Sequence, residues 1–357
     1  MKKIFFALAT VAALASCSKS EVEYEQTSEI TFTPVTKNIT KSMITGTTFP
    51  TTESFNVWAW YNQVPAETTP ADWNKSTDNL YVTKGEFVRR GETSDWGGAT
   101  PYYWPKVGSL LFAGYYHSVD NDVEYTFTDT ENKMVFTDIQ QRFVGSSGYS
   151  EDLMYFNMTP KSYKAGPVPV VFKHALSWVT VSLKQSDFTV TGGFPKITVH
   201  KVDFTNVNPK GTGTVTGTDG TIAWVVNGTI AETTVTTGDV VLTTTDQMLK
   251  QPLFIPQALT YDDPNTTEVE APTMALKINY TIASSATESF TETLTVPLAG
   301  MVGETPSATT PGTNENVTIS SWDPAKHYVY NVVMGLEEIL IEPTVADWTP
   351  VTIAMPL

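Results

Sequence analysis

The chain has 357 residues and a formal charge of −16, with 38 acidic side chains against 22 basic ones. That balance argues against nucleic acid as a partner, because a polyanion needs clustered Lys and Arg, and arginine occurs only at Arg89-Arg90 and Arg142. The single cysteine, Cys17, rules out an intrachain disulfide framework or a cysteine-rich zinc knuckle, so stability must come from packing; the length is sufficient for two domains of ordinary size.

At the N-terminus Lys2 and Lys3 precede an apolar run over residues 4–14, which is followed by Ala15, Ser16 and Cys17. This is the pattern of a secretory signal peptide, and the run is shorter than the roughly 20 apolar residues that cross a bilayer. Leu14-Ala15-Ser16-Cys17 fits the bacterial lipobox. Residues 1–16 are therefore expected to be removed, leaving Cys17 as a lipidated, palmitate-bearing N-terminus.

Beyond the leader the chain reads as all-β. Ile30-Thr31-Phe32 alternates apolar and hydroxyl side chains, so one row can enter a core; Lys37 and Lys41 follow in a Thr-, Asn- and Ser-rich stretch with the character of an exposed loop. Alternation returns over residues 55–61, 179–183, 197–202, 275–282 and 290–296. Turn signals separate these runs, among them Trp96-Gly97-Gly98, Thr191-Gly192-Gly193, Asp219-Gly220 and Asn227-Gly228. No window keeps a helical apolar period over three turns, and many short strands punctuated by Gly and Pro predict β-sandwiches. The Pro-, Gly- and Lys-rich segment at 161–169 suggests a boundary at Gly166-Pro167, giving an N-terminal domain over 17–166 and a C-terminal one over 167–357.

Candidate chemistry is sparse. His117, His174, His200 and His327 are scattered, with no metal-ligand spacing around them, and His174 in an apolar strand reads as a satisfied structural histidine. Acidic groups at 120–124 and 262–263 read as solvated turns rather than calcium loops. No nucleophile elbow or phosphate-binding loop occurs. The expectation is no catalytic residue, no metal and no cofactor. Trp58, Trp60, Trp96, Tyr102, Tyr103 and Trp104 fit either core packing or a sugar-stacking platform, with Tyr103-Trp104-Pro105 the set expected to be exposed.

The C-terminus carries Val351, Ile353, Met355 and Leu357 at alternate positions, with Thr352, Ala354 and Pro356 between them. An apolar ribbon left in water is an aggregation template. It therefore needs a sheet to complete, either in its own sandwich or in a neighbour's groove by β-augmentation.

Together these phrases resemble the Mfa-like fimbrillins, lipoprotein precursors of the fimbriae of Bacteroides-type bacteria. The resemblance rests on the lipobox, Ile30-Thr31-Phe32, Ile44-Thr45-Gly46-Thr47-Thr48-Phe49, Phe55-Asn56-Val57-Trp58-Ala59-Trp60 and Tyr102-Tyr103-Trp104-Pro105. It continues through Asp152-Leu153-Met154-Tyr155, Phe172-Lys173-His174-Ala175-Leu176, Leu253-Phe254-Ile255-Pro256-Gln257 and His327-Tyr328-Val329-Tyr330. It implies two transthyretin-like β-sandwich domains, export as a lipoprotein to the outer membrane, and a fimbrial subunit on the cell surface that supports adhesion. It also implies assembly by donor strand exchange. A trypsin-like protease would cut at Lys41, where lysine stands in place of the family's usual arginine; the strand with Ile30 and Phe32 would leave, and Val351, Ile353, Met355 and Leu357 of a neighbour would fill the groove. Other fimbrial subunits are the implied partners, with a host or bacterial surface ligand beyond them. A tip or anchor adhesin subunit and a surface glycan-binding lipoprotein are the alternative readings.

Overall fold

A computed structural model of the chain describes residues 28–35, 49–63, 79–91, 95–117, 123–127, 132–140, 152–157, 161–162, 166–217, 220–236, 238–262, 272–307, 309, 313–336 and 339–347. Every regular element among them is a strand, as the β-branched and aromatic composition predicts.

In the first sheet the strands run, in spatial order, Val168–Val171, Thr31–Val35, Trp96–Gly98, Leu80–Arg89, Ser54–Asn62, Ser109–His117, Leu153–Asn157 and Lys173–His174; Lys161–Ser162 also pairs with Ser109–His117. Thr31–Val35 and Ser109–His117 are four steps apart in that order, which in a flat sheet means about 19 Å at roughly 4.8 Å per step. Yet the rings of Phe32 and Phe112 are 5.2 Å apart between centroids. The sheet must therefore curl until its inner face meets itself. Residues 168–174 complete the curl, because Val168–Val171 pairs in parallel with Thr31–Val35 at one end while Lys173–His174 pairs with Leu153–Asn157 at the other. A closed sheet has no bare edge at that seam.

The same seam bears on the division expected at Gly166-Pro167. Strands on both sides of that dipeptide hydrogen-bond within one sheet, which extends through His174. The Pro- and Gly-rich segment is the approach to the closing strands, and a change in composition does not reveal this.

The outer face of the first sheet is also covered. A four-stranded sheet ordered Ile222–Val226, Lys210–Thr216, Asn132–Gln140, Val123–Phe127 draws on both halves of the sequence. Ser109–His117 is consequently buried on both faces, with Leu110 and Phe112 in the inner core and Leu111, Ala113 and Tyr115 in the outer one. This is why its sequence is a nearly unbroken apolar run rather than an alternating one. Ser54–Asn62 sends Phe55, Val57 and Ala59 inward and Trp58 and Trp60 outward. The two tryptophans meet Tyr125 of the covering sheet, at 6.0 and 4.4 Å between centroids. Tyr155 ties the layers together, its hydroxyl accepting from the Ile222 amide at 3.1 Å, while the Trp224 indole donates to the Ala175 carbonyl at 2.8 Å.

Apart from the two-stranded ladder of Gln257–Ala258 with Ser321–Trp322, the remaining strands form a second sandwich. A seven-stranded sheet, in which Ser177–Gln185 lies parallel to Lys326–Met334, faces a five-stranded sheet built on Lys196–Val207 and Ala275–Ala283. Alternate residues interdigitate between them, Val179, Val181, Tyr330 and Val332 against Ile197, Val199, Leu276 and Ile278. Phe204, Phe254 and Trp322 fill the centre, and the Trp322 indole donates to the Tyr330 hydroxyl at 3.0 Å.

Candidate functional site

The residues expected to leave, Ile30 and Phe32, are both fully buried. Their strand, Thr31–Val35, lies between two partners, pairing Phe32 with Trp96 on one side and Phe32 to Val35 with Val168 to Val171 on the other. Beyond the strand's start, the Ile30 amide donates to the Tyr102 carbonyl at 2.7 Å and the Ser28 carbonyl accepts from Trp104 at 3.0 Å. Pro34 is tolerated because the Val35 carbonyl faces Phe172. Carbonyl direction alternates along a strand, so the Pro34 nitrogen faces the other side, where pairing with Trp96–Gly98 has ended.

Phe32 is the centre of this seat. Its ring packs edge-on against Phe55, Phe87 and Phe112 at 6.0, 4.9 and 5.2 Å, and lies tilted 6.2 Å from Phe156. Such edge-to-face contacts add to the area that each ring buries. Glu29, just upstream, is held by Arg90 at 2.8 Å, and Arg90 also donates to the Gly98 carbonyl. The guanidinium crosses Gly97 so closely that a Cβ there would lie 2.5 Å from Arg90 Nε and would displace that side chain from its present position. The arrangement is a strand latched at its entry by one ion pair and seated by one aromatic side chain.

A polar knot sits beside the seam. Asp152 is fully buried and His174 nearly so, and the imidazole Nδ1 lies 3.2 and 3.0 Å from the two carboxylate oxygens. Tyr116 reaches Glu53 at 3.3 Å. Burial first, then the carboxylates of Glu53 and Asp152, pushes its phenol well above the ordinary range. His174 is thus a partnered structural histidine; its partner is 22 residues away in the chain, and no sequence spacing announces it.

Cys17, Lys37, Lys41 and the tail residues Val351, Ile353, Met355 and Leu357 lie outside the described residues, as does the acidic stretch at 120–122. The aromatic platform is corrected. Trp58, Trp60, Trp96 and Trp104 are all buried, and in Tyr103-Trp104-Pro105, the set expected to be exposed, Trp104 and Pro105 are buried and Tyr103 only half exposed. Trp104 packs edge-on against Phe112 at 5.7 Å. The outward tryptophans, Trp58 and Trp60, are covered by the four-stranded sheet. Among the described residues no three His, Cys, Asp or Glu side chains gather into a metal-binding group.

Two other histidines have defined settings. His200 sits between Asp239 and Thr281 on the outer face of the five-stranded sheet, at 2.9 and 2.8 Å. His327 stacks on Trp178 with ring centroids 3.6 Å apart and lies 3.0 Å from the Thr180 hydroxyl. Burial lowers the His327 pKa to about 4. Between that value and about 6.5 the unfolded chain binds a proton that the folded chain refuses, so stability falls as pH drops through this window and is complete above it. The unfolding free energy of the wild type, relative to His327→Gln, is expected to decrease by about 2–3 kcal/mol from pH 6.5 to pH 4, measured by urea denaturation at each pH.

A family model described as fimbrillin-like matches residues 21–348. No curated protein sequence gives a significant match. Among solved structures, the fold is similar to that of a fimbrial protein from Bacteroides vulgatus, at 15% identity and a TM-score of 0.52, with 89% of this chain and 99% of that one covered. Candidate cell adhesion proteins from Bacteroides uniformis and Bacteroides ovatus are comparable. The first has 14% identity and a TM-score of 0.51, the second 11% and 0.50, and each comparison covers 90% of this chain and 98% of the other. At these identities the likeness to the solved structures is one of fold.

Proposed function

This chain belongs to the fimbrillin-like family, and from that premise we propose that it is a fimbrial structural subunit assembled by protease-triggered strand exchange. It reaches the outer membrane as a lipoprotein through Cys17. Cleavage at Lys41 frees the segment containing Ile30 and Phe32, and the apolar tail of a neighbouring subunit, through Val351, Ile353, Met355 and Leu357, takes the vacated place. Repeated head to tail, such a contact does not close and produces a filament. The proteolytic step is carried out by another protein, and the proposed role asks for no catalysis or cofactor from this chain.

The observation that carries the reading is the seat of Phe32. A short segment near the N-terminus supplies the side chain around which four other phenylalanines pack. Its departure would open an aromatic groove between Val168–Val171 and Trp96–Gly98. Burying one such side chain contributes about 1.5–3 kcal/mol, so an empty groove is a strong acceptor for any strand with apolar residues at alternate positions. The tail has that period.

The test uses purified precursor and a trypsin-like protease. Wild-type protein is expected to give ladders by electrophoresis and filaments by electron microscopy. Lys41→Ala should remain intact and monomeric, and a variant lacking residues 351–357 should be cut without polymerising. Ladders from both variants equal to those of the wild type would overturn the mechanism.

A further inference from the structure

The outer face of the five-stranded sheet carries a groove of about 410 Å³, remote in sequence from the strand seat. Its floor is the outward row of Lys196–Val207 and Ala275–Ala283, where Thr198 and Thr281 are paired across the ladder. Phe194 and Val241 supply apolar walls, and Ser285 in the turn and Ser289 at the start of the next strand line one side. Small residues at Ala283 and Ala286 leave the space open.

The floor is not a plain strand face. The ladder between Lys196–Val207 and Ala275–Ala283 shifts register between Val199 and Lys201, which leaves His200 as an extra residue without a cross-strand partner. A bulge interrupts pairing and re-aims a side chain, and bulges recur beside functional sites. Ile197 and Val199 point into the core before it and Val202 and Phe204 after it. His200 therefore faces outward to the groove in step with Lys196 and Thr198, and the extra residue resets the phase for the core-facing row that follows. There it is fixed from both ends: Nδ1 lies 2.9 Å from Asp239 Oδ1, and Nε2 lies 2.8 Å from Thr281 Oγ1, which is itself 2.7 Å from Thr291 Oγ1. This fixed chain leaves the Asp239 carboxylate largely exposed at the groove, its side chain 66% accessible. Lys196 lines the same space and has no ion-pair partner among the described residues.

An Asp–His–Thr chain suggests nucleophilic catalysis, but the surroundings do not supply the rest of such a site. Thr281 is in a central strand paired on both sides, with Thr198 and Thr291, so the nearby backbone N–H groups are engaged in ladders rather than free to hold an oxyanion. What the groove offers is recognition. It combines an oriented carboxylate, an ammonium group, a row of hydroxyls and an apolar edge in one shallow space. These groups complement a molecule with many hydroxyls and short C–H faces. A phosphorylated ligand would have a single lysine to meet it beside an aspartate, and a purely apolar ligand would strand the polar floor.

We propose that this groove binds a saccharide, with Asp239 and Lys196 contacting its polar groups and Phe194 its C–H face. The inference rests on the surface-subunit reading for its setting, but a binding measurement on uncleaved monomer is independent of polymerisation. Failure of either test therefore leaves the other interpretable. The full-length soluble precursor, without its leader, is screened on a printed array of neutral, amino and acidic oligosaccharides, and the best binder is titrated calorimetrically. Wild type should bind, and Asp239→Ala and Lys196→Ala should each weaken binding by about tenfold or more, the loss expected for a hydrogen bond to a charged group. Both positions are exposed, so the melting temperatures should match the wild type; if Asp239→Ala alone is unstable, Lys196→Ala decides. Phe290→Ser, an exposed change outside the groove lining, should bind as wild type does. Absence of any array signal from folded protein, or unchanged affinity in the stable groove variants, would overturn the proposal.

Discussion

Phe32→Ala is expected to lower the unfolding free energy by about 3–5 kcal/mol, the cost of emptying a fully buried aromatic site. The figure belongs at the high end of core substitutions because the site cannot collapse easily. Phe32 is ringed by Phe55, Phe87, Phe112 and Phe156, each on a different strand of a sheet already closed on itself. Moving one of those rings into the void means moving a strand. Thr33→Ala, on the opposite face of the same strand and only half buried, should cost about 0.5 kcal/mol or less. Denaturant titration of both variants separates a face-specific packing effect from general weakening of the strand. The comparison also reaches the assembly mechanism. If the strand must leave before a neighbour's can enter, Phe32→Ala should form ladders faster than wild type after identical proteolysis, because its outgoing strand is held less tightly. Equal rates would separate the stability effect from the exchange step.

What the sequence disclosed about this seat follows from the range of the interactions involved. Ile30 and Phe32 were legible as one apolar row because side-chain alternation is a local property of a strand. Their neighbours were not. Trp96 and Val168 are far from Phe32 in the chain, and one of the two pairings is parallel, which no hairpin turn signals. The same limit explains the tryptophans. Trp58 and Trp60 showed that Ser54–Asn62 has two apolar faces, but the sheet that covers the second is assembled from Asn132–Gln140 and Lys210–Thr216, segments from opposite halves of the chain. The all-β class was readable from composition and turn signals, whereas the closing role of residues 168–174 depends on their meeting both ends of one sheet. Polar pairs were the least legible. Asp239 gives no sign in the sequence of its contact with His200, and the bulge at His200 appears only once the register with Ala275–Ala283 is known.

Removing either member of the Asp152–His174 pair is expected to cost about 3–5 kcal/mol, because it leaves a buried polar or charged group without its partner. Asp152→Ala and His174→Ala should therefore destabilise to a similar extent, although they delete side chains of different size. The location sharpens the expectation. His174 belongs to the two-residue strand that pairs with Leu153–Asn157, and the adjoining Ala175 amide donates to Leu153 at 2.8 Å. So short a ladder has few backbone bonds with which to hold the seam, and the side-chain pair stitches together the place where the sheet closes. Amide exchange at Ala175 should accelerate in both variants more than exchange within Ser54–Asn62, which has a long strand paired to it on each side. The double variant, Asp152→Ala with His174→Ala, leaves neither group buried without the other and should be less destabilising than the two single losses combined. Strict additivity in that cycle would mean that the 3.0 Å contact contributes no coupling and that the seam is held by backbone and packing alone.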